Sequence, residues 1–174
     1  MSTVYGAIKK RFSTRGYTDE KLTDEELSQV IDAGLAAPTA ANKQELHFSV
    51  IPAGNPILQE IEDEKNKTRG PAPKNFYYDA PTVIIISGDE SFGWSALDAG
   101  IAAQNIVLAA EGLGLGSLII GCIKDAMLGE KKAYFNEKLG IPEGYGYQIA
   151  IALGHTALAK EPHSYDPARQ VSCL

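Results

Sequence analysis

The sequence predicts a three-layer domain of the α+β or α/β class, in which helices cover both faces of a sheet. The stretch "PTVIIIS" at residues 81–87 is a continuous β-branched run without alternation, which is typical of a central strand buried on both faces. Stretches of helical period precede and follow it. The length of 174 residues fits one domain with a substantial core. We therefore expect one domain over residues 1–174, with 155–174 as an extended C-terminal arm.

The N-terminal stretch is predicted to be a short helix followed by an extended segment. Val4, Tyr5 and Ile8 form an apolar stripe of helical spacing that ends near Lys10. The residues that follow, "RFSTRGY" at 11–17, alternate in character and are predicted to be extended.

A second helix is predicted immediately before the first strand. Thr23 followed by Glu26 forms a capping box, and apolar residues recur at helical spacing as far as Leu35. The sequence then predicts a strand over 47–51, a helix over 55–65 and a loop rich in proline, glycine and lysine over 66–74.

The C-terminal half is dominated by a helix predicted over residues 94–111. Its residues are apolar almost all round, so it must be buried on most sides. The stretch "GLGLGS" ends this helix, and "LIIGCI" after it is either a strand or a tight turn. A helix over 125–139 and a strand over 147–153 complete the predicted elements, and the chain is polar and without period from His155 onward.

Composition excludes several classes of protein. The net charge of −6 and a pI near 5.1 disfavour nucleic acid as the main partner. The apolar stretches are too short to span a bilayer, which takes about 20 residues, and no secretory signal is visible, so we expect a cytoplasmic protein. Two cysteines, Cys122 and Cys173, do not indicate a disulfide framework.

Standard catalytic and metal-binding motifs are missing from the sequence. The "GLGLGS" stretch follows a helix, whereas the dinucleotide fingerprint follows a strand, so we interpret its glycines as a helix terminator. His47, His155 and His163 share no ligand spacing with one another or with a cysteine, so we expect no metal site. An enzyme with this sequence would therefore depend on a cofactor for its chemistry.

One basic segment stands out in the acidic chain. In an extended backbone, Arg11, Ser13 and Arg15 project from one face, while Phe12 and Thr14 project from the other. Two guanidinium groups and a hydroxyl can bind a phosphate. The pattern alone slightly favours a solvated basic face over a ligand site.

Five segments together resemble the nitroreductase family of FMN-dependent oxidoreductases. They are "RFSTRGY" at 11–17, "IDAGLAAPTAANKQELHFSVI" at 31–51, "FYYDAPTVIII" at 76–86, "DAGIAAQNIVLAAEGLGLGS" at 98–117 and "LGIPEGYGYQIAIALGH" at 139–155. They occur in the same order as in the family. The resemblance implies an α+β fold, a three-layer α/β/α sandwich with a mixed, mainly antiparallel sheet and the long helix at a dimer interface.

The resemblance also implies a cofactor site shared between two subunits of a homodimer. Arg11 and Ser13 would bind the FMN phosphate, and Arg15 would lie near the N1/O2 edge and stabilise the anionic reduced ring. The remaining implied cofactor-binding residues are Phe12, Ile119, Ile120, Gly121, Lys160 and His163 from one subunit, and Pro38, Thr39, Ala40, Asn42 and Gln44 from its partner.

Three departures from the family pattern concern this site. Glu45 and Leu46 stand where the family has Pro-Trp. Phe76 stands where it often has a lysine that faces the flavin, although Lys74 and Asn75 lie nearby. In the tail, His163 stands in place of an arginine.

The implied activity is transfer of hydride from NADH or NADPH to a nitroaromatic, quinone or similar acceptor, with ping-pong kinetics and no catalytic acid or base from the protein. Three other interpretations stay open. One is a different enzyme class on the same scaffold, such as a flavin-fragmenting or dehalogenating member of the family. A flavin-storing dimer without catalysis would bind FMN but not react with NAD(P)H, and a structural protein without a cofactor would bind neither.

Overall fold

Four strands form one sheet in the order β1-β2-β4-β3 in the computed structural model, which describes residues 3–161 and 164–173. Neighbouring strands all pair antiparallel, with Ile84 opposite Val50 on one side and Ile151 on the other. An isolated parallel bridge joins Ser13 to Ser117. The mainly antiparallel sheet that was predicted is therefore confirmed. The strands are β1 Leu46–Pro52, β2 Thr82–Asp89, β3 Gly116–Ile120 and β4 Tyr145–Gly154.

The described residues form seven α-helices and one 3-10 turn. The first two helices precede the sheet, and α4 is the longest at 18 residues. The helices are α1 Val4–Lys10, α2 Asp24–Leu35, α3 Pro56–Arg69, α4 Ser95–Gly112, α5 Lys124–Leu128, α6 Lys132–Leu139 and α7 Pro167–Gln170, and the 3-10 turn spans Ala40–Asn42. No helix within these described residues is both long enough and apolar enough to cross a bilayer.

The side chains of β2 divide between two hydrophobic clusters. Val83 and Ile85 pack with residues of α3, α5 and α6, whereas Ile84 and Ile86 pack with residues of α2 and α4. Both faces of the sheet are thus covered by helices, and all four side chains are fully buried. The three-layer arrangement and the central position of this strand are confirmed.

Local sequence explains where most of the helices begin. At α2 the capping box forms, because the N–H of Glu26 donates to Thr23 Oγ1 at 3.2 Å and the N–H of Thr23 donates to Glu26 Oε2 at 2.8 Å. At α3, Asn55 accepts from the N–H of Ile57 and Pro56 occupies the first turn.

Two predicted boundaries are wrong. Residues 66–69 continue α3 instead of starting a loop, and the helix ends where the N–H of Gly70 donates to the carbonyl of Asn66 at 2.9 Å. The helix predicted over 125–139 is divided into α5 and α6 at Gly129. Gly129 leaves the helical conformation with a ψ of −155°, and a Cβ at this position would lie 2.7 Å from the carbonyl oxygen of Asp125, so the bend requires glycine.

The ambiguous stretch "LIIGCI" begins in a strand, since β3 pairs with β4 as far as Ile120. In the C-terminal stretch, residues 155–161 have no regular structure, but Pro167–Gln170 form the short helix α7, which the sequence did not predict. The description of 155–174 as an arm of a single domain stays a prediction.

Candidate functional site

The basic segment at residues 11–15 lies beside β3 at one edge of the sheet. The N–H of Thr14 donates to the carbonyl of Ser117 at 2.9 Å, and Ser13 forms the parallel bridge to the same residue. The side chain of Thr14 is buried, with 1% of its surface exposed, whereas Ser13 is half-buried and Arg15 is exposed. This alternation agrees with the extended backbone that the sequence predicted.

The two arginines of this segment are not neutralised by ion pairs. Among the described residues, neither Arg11 nor Arg15 has a carboxylate oxygen within 4.0 Å. Glu111 is an acid close enough to Arg11 to feel its charge. Burial raises the pKa of Glu111, and the positive charges of Lys10 and Arg11 oppose part of this increase. Unpaired guanidinium groups at an accessible edge are suited to binding an anionic ligand.

The end of β3 presents the next group of predicted residues. Ile119 has 38% of its side chain exposed, and Gly121 is exposed with open space around it. Ile120 differs, because its side chain is buried in the core and its carbonyl accepts a hydrogen bond from the Tyr147 hydroxyl at 2.8 Å. Ile119 and Gly121 are therefore free to contact a ligand, whereas the side chain of Ile120 is not.

The start of the C-terminal arm is bonded to the basic segment. The Thr156 hydroxyl donates to the carbonyl of Gly16 at 2.8 Å, and the N–H of Thr18 donates to the carbonyl of His155 at 2.9 Å. Gly116 permits this close approach, since a Cβ there would lie 2.8 Å from the methyl groups of Thr14 and Thr156.

Lys160 is brought to the same edge of the sheet. It lines a cavity of about 240 Å³ together with Phe12, Lys10 and Glu111. The structure thus brings Lys160 close to Phe12. His163 lies outside the described residues.

The loop over residues 38–44 has an unusual backbone. Ala41, Asn42 and Gln44 have φ values of 53°, 52° and 53°, in the left-handed region that residues other than glycine seldom adopt. Thr39 Oγ1 accepts from the N–H of Gln44 at 2.9 Å, and Asn42 Oδ1 accepts from the Gln44 side chain at 3.3 Å. Such strain costs of order 1–3 kcal/mol for each residue and occurs most often at functional sites.

A buried acid attaches this loop to α4. The N–H of Ala40 donates to Asp98 Oδ2 at 2.9 Å, and Asp98 has only 2% of its surface exposed. Asp98 was not predicted to be a site residue. The available signal was its position as a lone acid in the first turn of an almost wholly apolar helix.

The loop and the basic segment lie at opposite ends of α4 within one chain. The loop contacts Asp98 in the first turn, whereas Arg11 lies near Glu111 in the last turn. Thirteen residues of helix separate these two acids, which corresponds to about 20 Å at a rise of about 1.5 Å per residue. A single chain therefore does not bring the predicted residues of the basic segment and of the loop together.

Apolar side chains are exposed on two helices near these two regions. Trp94 at the N-cap of α4 and Leu97 in its first turn are each 56% exposed, and the half-buried Ile101 follows one turn later. On α1, the predicted stripe is also exposed, with Val4 at 75% and Tyr5 at 68%. Large apolar patches of this kind indicate an interaction surface.

The residues that depart from the family pattern have structural surroundings of their own. Phe76 is buried in the core, and its N–H donates at 2.9 Å to Glu62, which is also paired with Lys65. Glu45 is buried, with Oε1 3.4 Å from the Ser95 hydroxyl, and its Oε2 has no hydrogen-bond partner in the described chain.

The histidines that the structure describes do not form a metal centre. His155 Nε2 lies 3.5 Å from Glu26 Oε2, and His47 is half-buried in β1. In the described part of the chain, no group of three or more histidine, cysteine, aspartate or glutamate side chains could hold a metal ion.

Comparison with known proteins gives a consistent picture. The sequence model described as the nitroreductase family matches residues 8–155. A protein from Methanothermobacter thermautotrophicus, named as a candidate NADH dehydrogenase/NAD(P)H nitroreductase, is 32% identical over 160 residues, which cover 88% of this chain and 78% of the relative. An FMN reductase [NAD(P)H] from Bacillus subtilis is 28% identical over 93% of this chain and 70% of its own length.

A solved structure supports the same relationship. The crystal structure of a nitroreductase with bound FMN from Desulfitobacterium hafniense superimposes with a TM-score of 0.89 at 28% sequence identity. The match covers 100% of this chain and 99% of that one.

Proposed function

Because the chain belongs to the nitroreductase family, we propose that it is an FMN-dependent oxidoreductase that takes hydride from NAD(P)H and passes electrons to a small organic acceptor. The observation that most supports cofactor binding is the unpaired basic segment beside β3. FMN carries a doubly anionic phosphate, and Arg11 and Arg15 lie at an accessible edge with no carboxylate partner among residues 3–161 and 164–173. The donor set therefore fits this cofactor.

Each part of the site has a proposed role. Arg11, Ser13 and Lys160 would hold the phosphate, with His163 as a further ligand, while Phe12, Ile119 and Gly121 would contact the cofactor along β3. Arg15 would stabilise the negative charge that the ring gains on reduction. Bound FMN would supply the group that accepts hydride, and no side chain is needed as a catalytic acid or base.

The site would be completed by a second copy of the chain. If two α4 helices pack antiparallel across a two-fold axis, the first turn of one lies near the last turn of the other. The exposed apolar residues of α4 and α1 would then be buried, and the loop of one subunit would reach the basic segment of its partner. The partner would contribute Pro38, Thr39, Ala40, Asn42 and Gln44.

The substrates are proposed at the level of chemical class. NAD(P)H and the oxidised acceptor would occupy the same space in turn, which gives ping-pong kinetics. Nitroaromatics and quinones are the proposed acceptors, and we propose a cytoplasmic location. Nucleic acid is not a proposed partner, because the net charge is −6. A membrane is not a proposed partner either, because the apolar stretches are shorter than the roughly 20 residues that span a bilayer.

An anaerobic titration tests this function. Purified protein reconstituted with FMN is titrated with NADH and, separately, with NADPH, while the flavin absorbance is followed. We expect bleaching with at least one nicotinamide. Bound FMN that stays oxidised with both would instead support a flavin-storing dimer, and a protein that binds no FMN would contradict the whole proposal.

The role of Arg15 can be tested in the same preparation. Arg15→Ala is expected to lower the flavin reduction potential and slow flavin reduction, because a positive charge near the ring is lost. Lys9→Ala removes one positive charge from the end of α1 and serves as the control. Unchanged potential and unchanged reduction rate in Arg15→Ala would disprove this role.

A further inference from the structure

Tyr78 is held against Arg15 by a strained turn just before β2. Arg15 Cζ lies 5.9 Å from the centroid of the Tyr78 ring, within the range of a cation–π contact. Tyr78 and Asp79 have φ values of 54° and 61°, so two consecutive residues other than glycine adopt the left-handed conformation. For a bulky aromatic residue this is a clear outlier, and strain of order 1–3 kcal/mol persists only where surrounding contacts enforce it.

The contacts that enforce this turn are present on both sides of Tyr78. Asn75 Nδ2 donates to Asp79 Oδ1 at 2.6 Å, and Asn75 Oδ1 accepts from the N–H of Asp79 at 3.0 Å. Lys74 Nζ donates to Asp79 Oδ2 at 3.0 Å. On the other side, the neighbouring Phe76 is buried in the core. These contacts fix the backbone on either side of Tyr78, and its half-buried ring packs against the core.

The surroundings of Arg15 hold its guanidinium group without neutralising it. Nη1 donates to the carbonyl of Ser13 at 3.4 Å, and the ring of Tyr78 lies on another side. In the described part of the chain no carboxylate pairs with it, whereas nearby Lys74 is paired with Asp79. An aromatic ring can orient a cation and leave its charge available, which a carboxylate cannot do.

We propose that Tyr78 is a positioning residue that orients Arg15 toward the flavin edge and thereby raises the reduction potential of the bound cofactor. The inference rests on the proposed function. The family often has a lysine that faces the flavin at the position of Phe76, and Phe76 is buried in the core of this chain. The inference gives Tyr78 part of the role of that lysine.

Two substitutions separate positioning from stability. Tyr78→Gly removes the ring and relieves the left-handed strain, and this relief offsets part of the packing that is lost where the half-buried ring contacts the core. Thermal denaturation of each variant, measured beside its potential, shows whether the fold is kept. Tyr78→Phe keeps the ring and removes only the hydroxyl. We expect Tyr78→Phe to have the wild-type potential. For Tyr78→Gly we expect the ratio of affinities for reduced and oxidised FMN to fall about threefold to tenfold, as expected for loss of one cation–π contact.

The test is a double-mutant cycle with Arg15→Ala, in which the potential and the affinity for oxidised FMN are measured for all variants. If Tyr78 acts through Arg15, adding Tyr78→Gly to Arg15→Ala changes the potential no further. The inference would be overturned if Tyr78→Gly had the wild-type reduction potential, or if Tyr78→Gly lowered the potential by the same amount with Arg15 present and with Arg15→Ala. Either result would leave the proposed function intact. Wild-type protein that binds no FMN, or is not reduced by NAD(P)H, would instead contradict the proposed function.

Discussion

Asp98 shows how a single buried acid can anchor a loop whose regular structure is limited to one 3-10 turn. Its carboxylate accepts the N–H of Ala40 in the first turn of α4, where the helix dipole favours a negative charge. The left-handed residues of the loop follow directly after this anchor. Asp98 therefore links the geometry of the loop to α4, and we expect its loss to affect cofactor binding.

We predict that Asp98→Ala lowers the free energy of unfolding by about 1.5–3 kcal/mol, the usual worth of a hydrogen bond to a charged group. Asp98→Asn keeps an acceptor and should lose less, in both stability and FMN affinity. Thermal denaturation at fixed protein concentration and a fluorescence titration with FMN measure the two effects. Asp32→Ala, at an exposed acid of α2, is the control. Equal FMN affinity in Asp98→Ala and wild type would disprove the link.

Glu26 gives a prediction about pH. Its pKa is lowered mainly by the hydrogen bond from the N–H of Thr23, with a smaller contribution from His155. A carboxyl whose pKa is depressed on folding stabilises the protein above its unfolded pKa, about 4.3 for glutamate, and this stabilisation is lost as the pH falls through the folded value. The capping box should therefore weaken in acid.

The comparison of Glu26→Ala with wild type measures this effect. At neutral pH we expect the variant to be less stable by about 1 kcal/mol. The difference should narrow as the pH falls below about 4, as measured by urea denaturation at several pH values. Glu25→Ala, in the same turn, should differ less from wild type in its free energy of unfolding, and this difference should change less with pH. A gap for Glu26→Ala that stays constant down to acid pH would show that the charge of Glu26 is not involved.

At the scale of elements, α4 has more apolar surface than one subunit buries. Its inner residues pack against the sheet, but Trp94 and Leu97 remain exposed. This residual surface explains why the sequence is apolar almost all round the helix. A second helix of the same kind is the partner that we propose.

We predict that Leu97→Arg converts the proposed dimer to a monomer and abolishes FMN binding, because a charge would be buried in the proposed interface. Light scattering measures the mass, and gel filtration followed by absorbance measures retained flavin. Ala133→Arg introduces the same side chain at an exposed position of α6, on the opposite face of the sheet. This control should change neither the mass nor the amount of retained flavin. A Leu97→Arg variant that stays dimeric with FMN bound would place the interface elsewhere.

The sequence was sufficient for elements that carry a strong local pattern. The capping box located the start of α2, and the unbroken run in β2 predicted burial on both faces. The sequence was not sufficient where contacts outside the local pattern determine the backbone conformation. The division between α5 and α6 lies at Gly129, where the backbone turns out of the helical conformation, and a pattern of apolar residues does not reveal such a turn.

The same distinction applies to the candidate site. Period-two spacing predicted the shared face of Ser13 and Arg15, because it is a property of neighbouring residues. The contacts of Asp98 with Ala40 and of Tyr78 with Arg15 join residues 58 and 63 positions apart in the sequence, so no local pattern could indicate them. The left-handed backbone of Tyr78 was likewise invisible, since tyrosine has no preference for it.

At the scale of the whole molecule, the distance between the basic segment and the loop predicts which subunit contributes each part of a site. One subunit holds the basic segment near the last turn of α4 and the loop near its first turn. A shared site therefore requires the segment of one subunit and the loop of the other. Mixed dimers of two inactive variants distinguish this arrangement from a site formed within one chain.

Arg11→Glu places a negative charge where the phosphate would bind, and Asn42→Trp places a bulky ring on the exposed loop. Each variant alone should bind no FMN. In a mixed dimer isolated with two affinity tags, one shared site combines both damaged parts and the other combines both intact parts. We therefore predict one FMN per mixed dimer and NAD(P)H oxidation at about half the wild-type rate per dimer.

The control for this experiment pairs Arg11→Glu with Ser13→Glu, which damage the same half of the site. Every shared site in that mixed dimer contains one altered segment, so neither FMN nor activity should return. Absorbance of the purified dimers gives the flavin content directly. Because sites formed within single chains would leave both subunits of the first pair defective, a mixed dimer of Arg11→Glu and Asn42→Trp without flavin would rule out the exchange of loops between subunits.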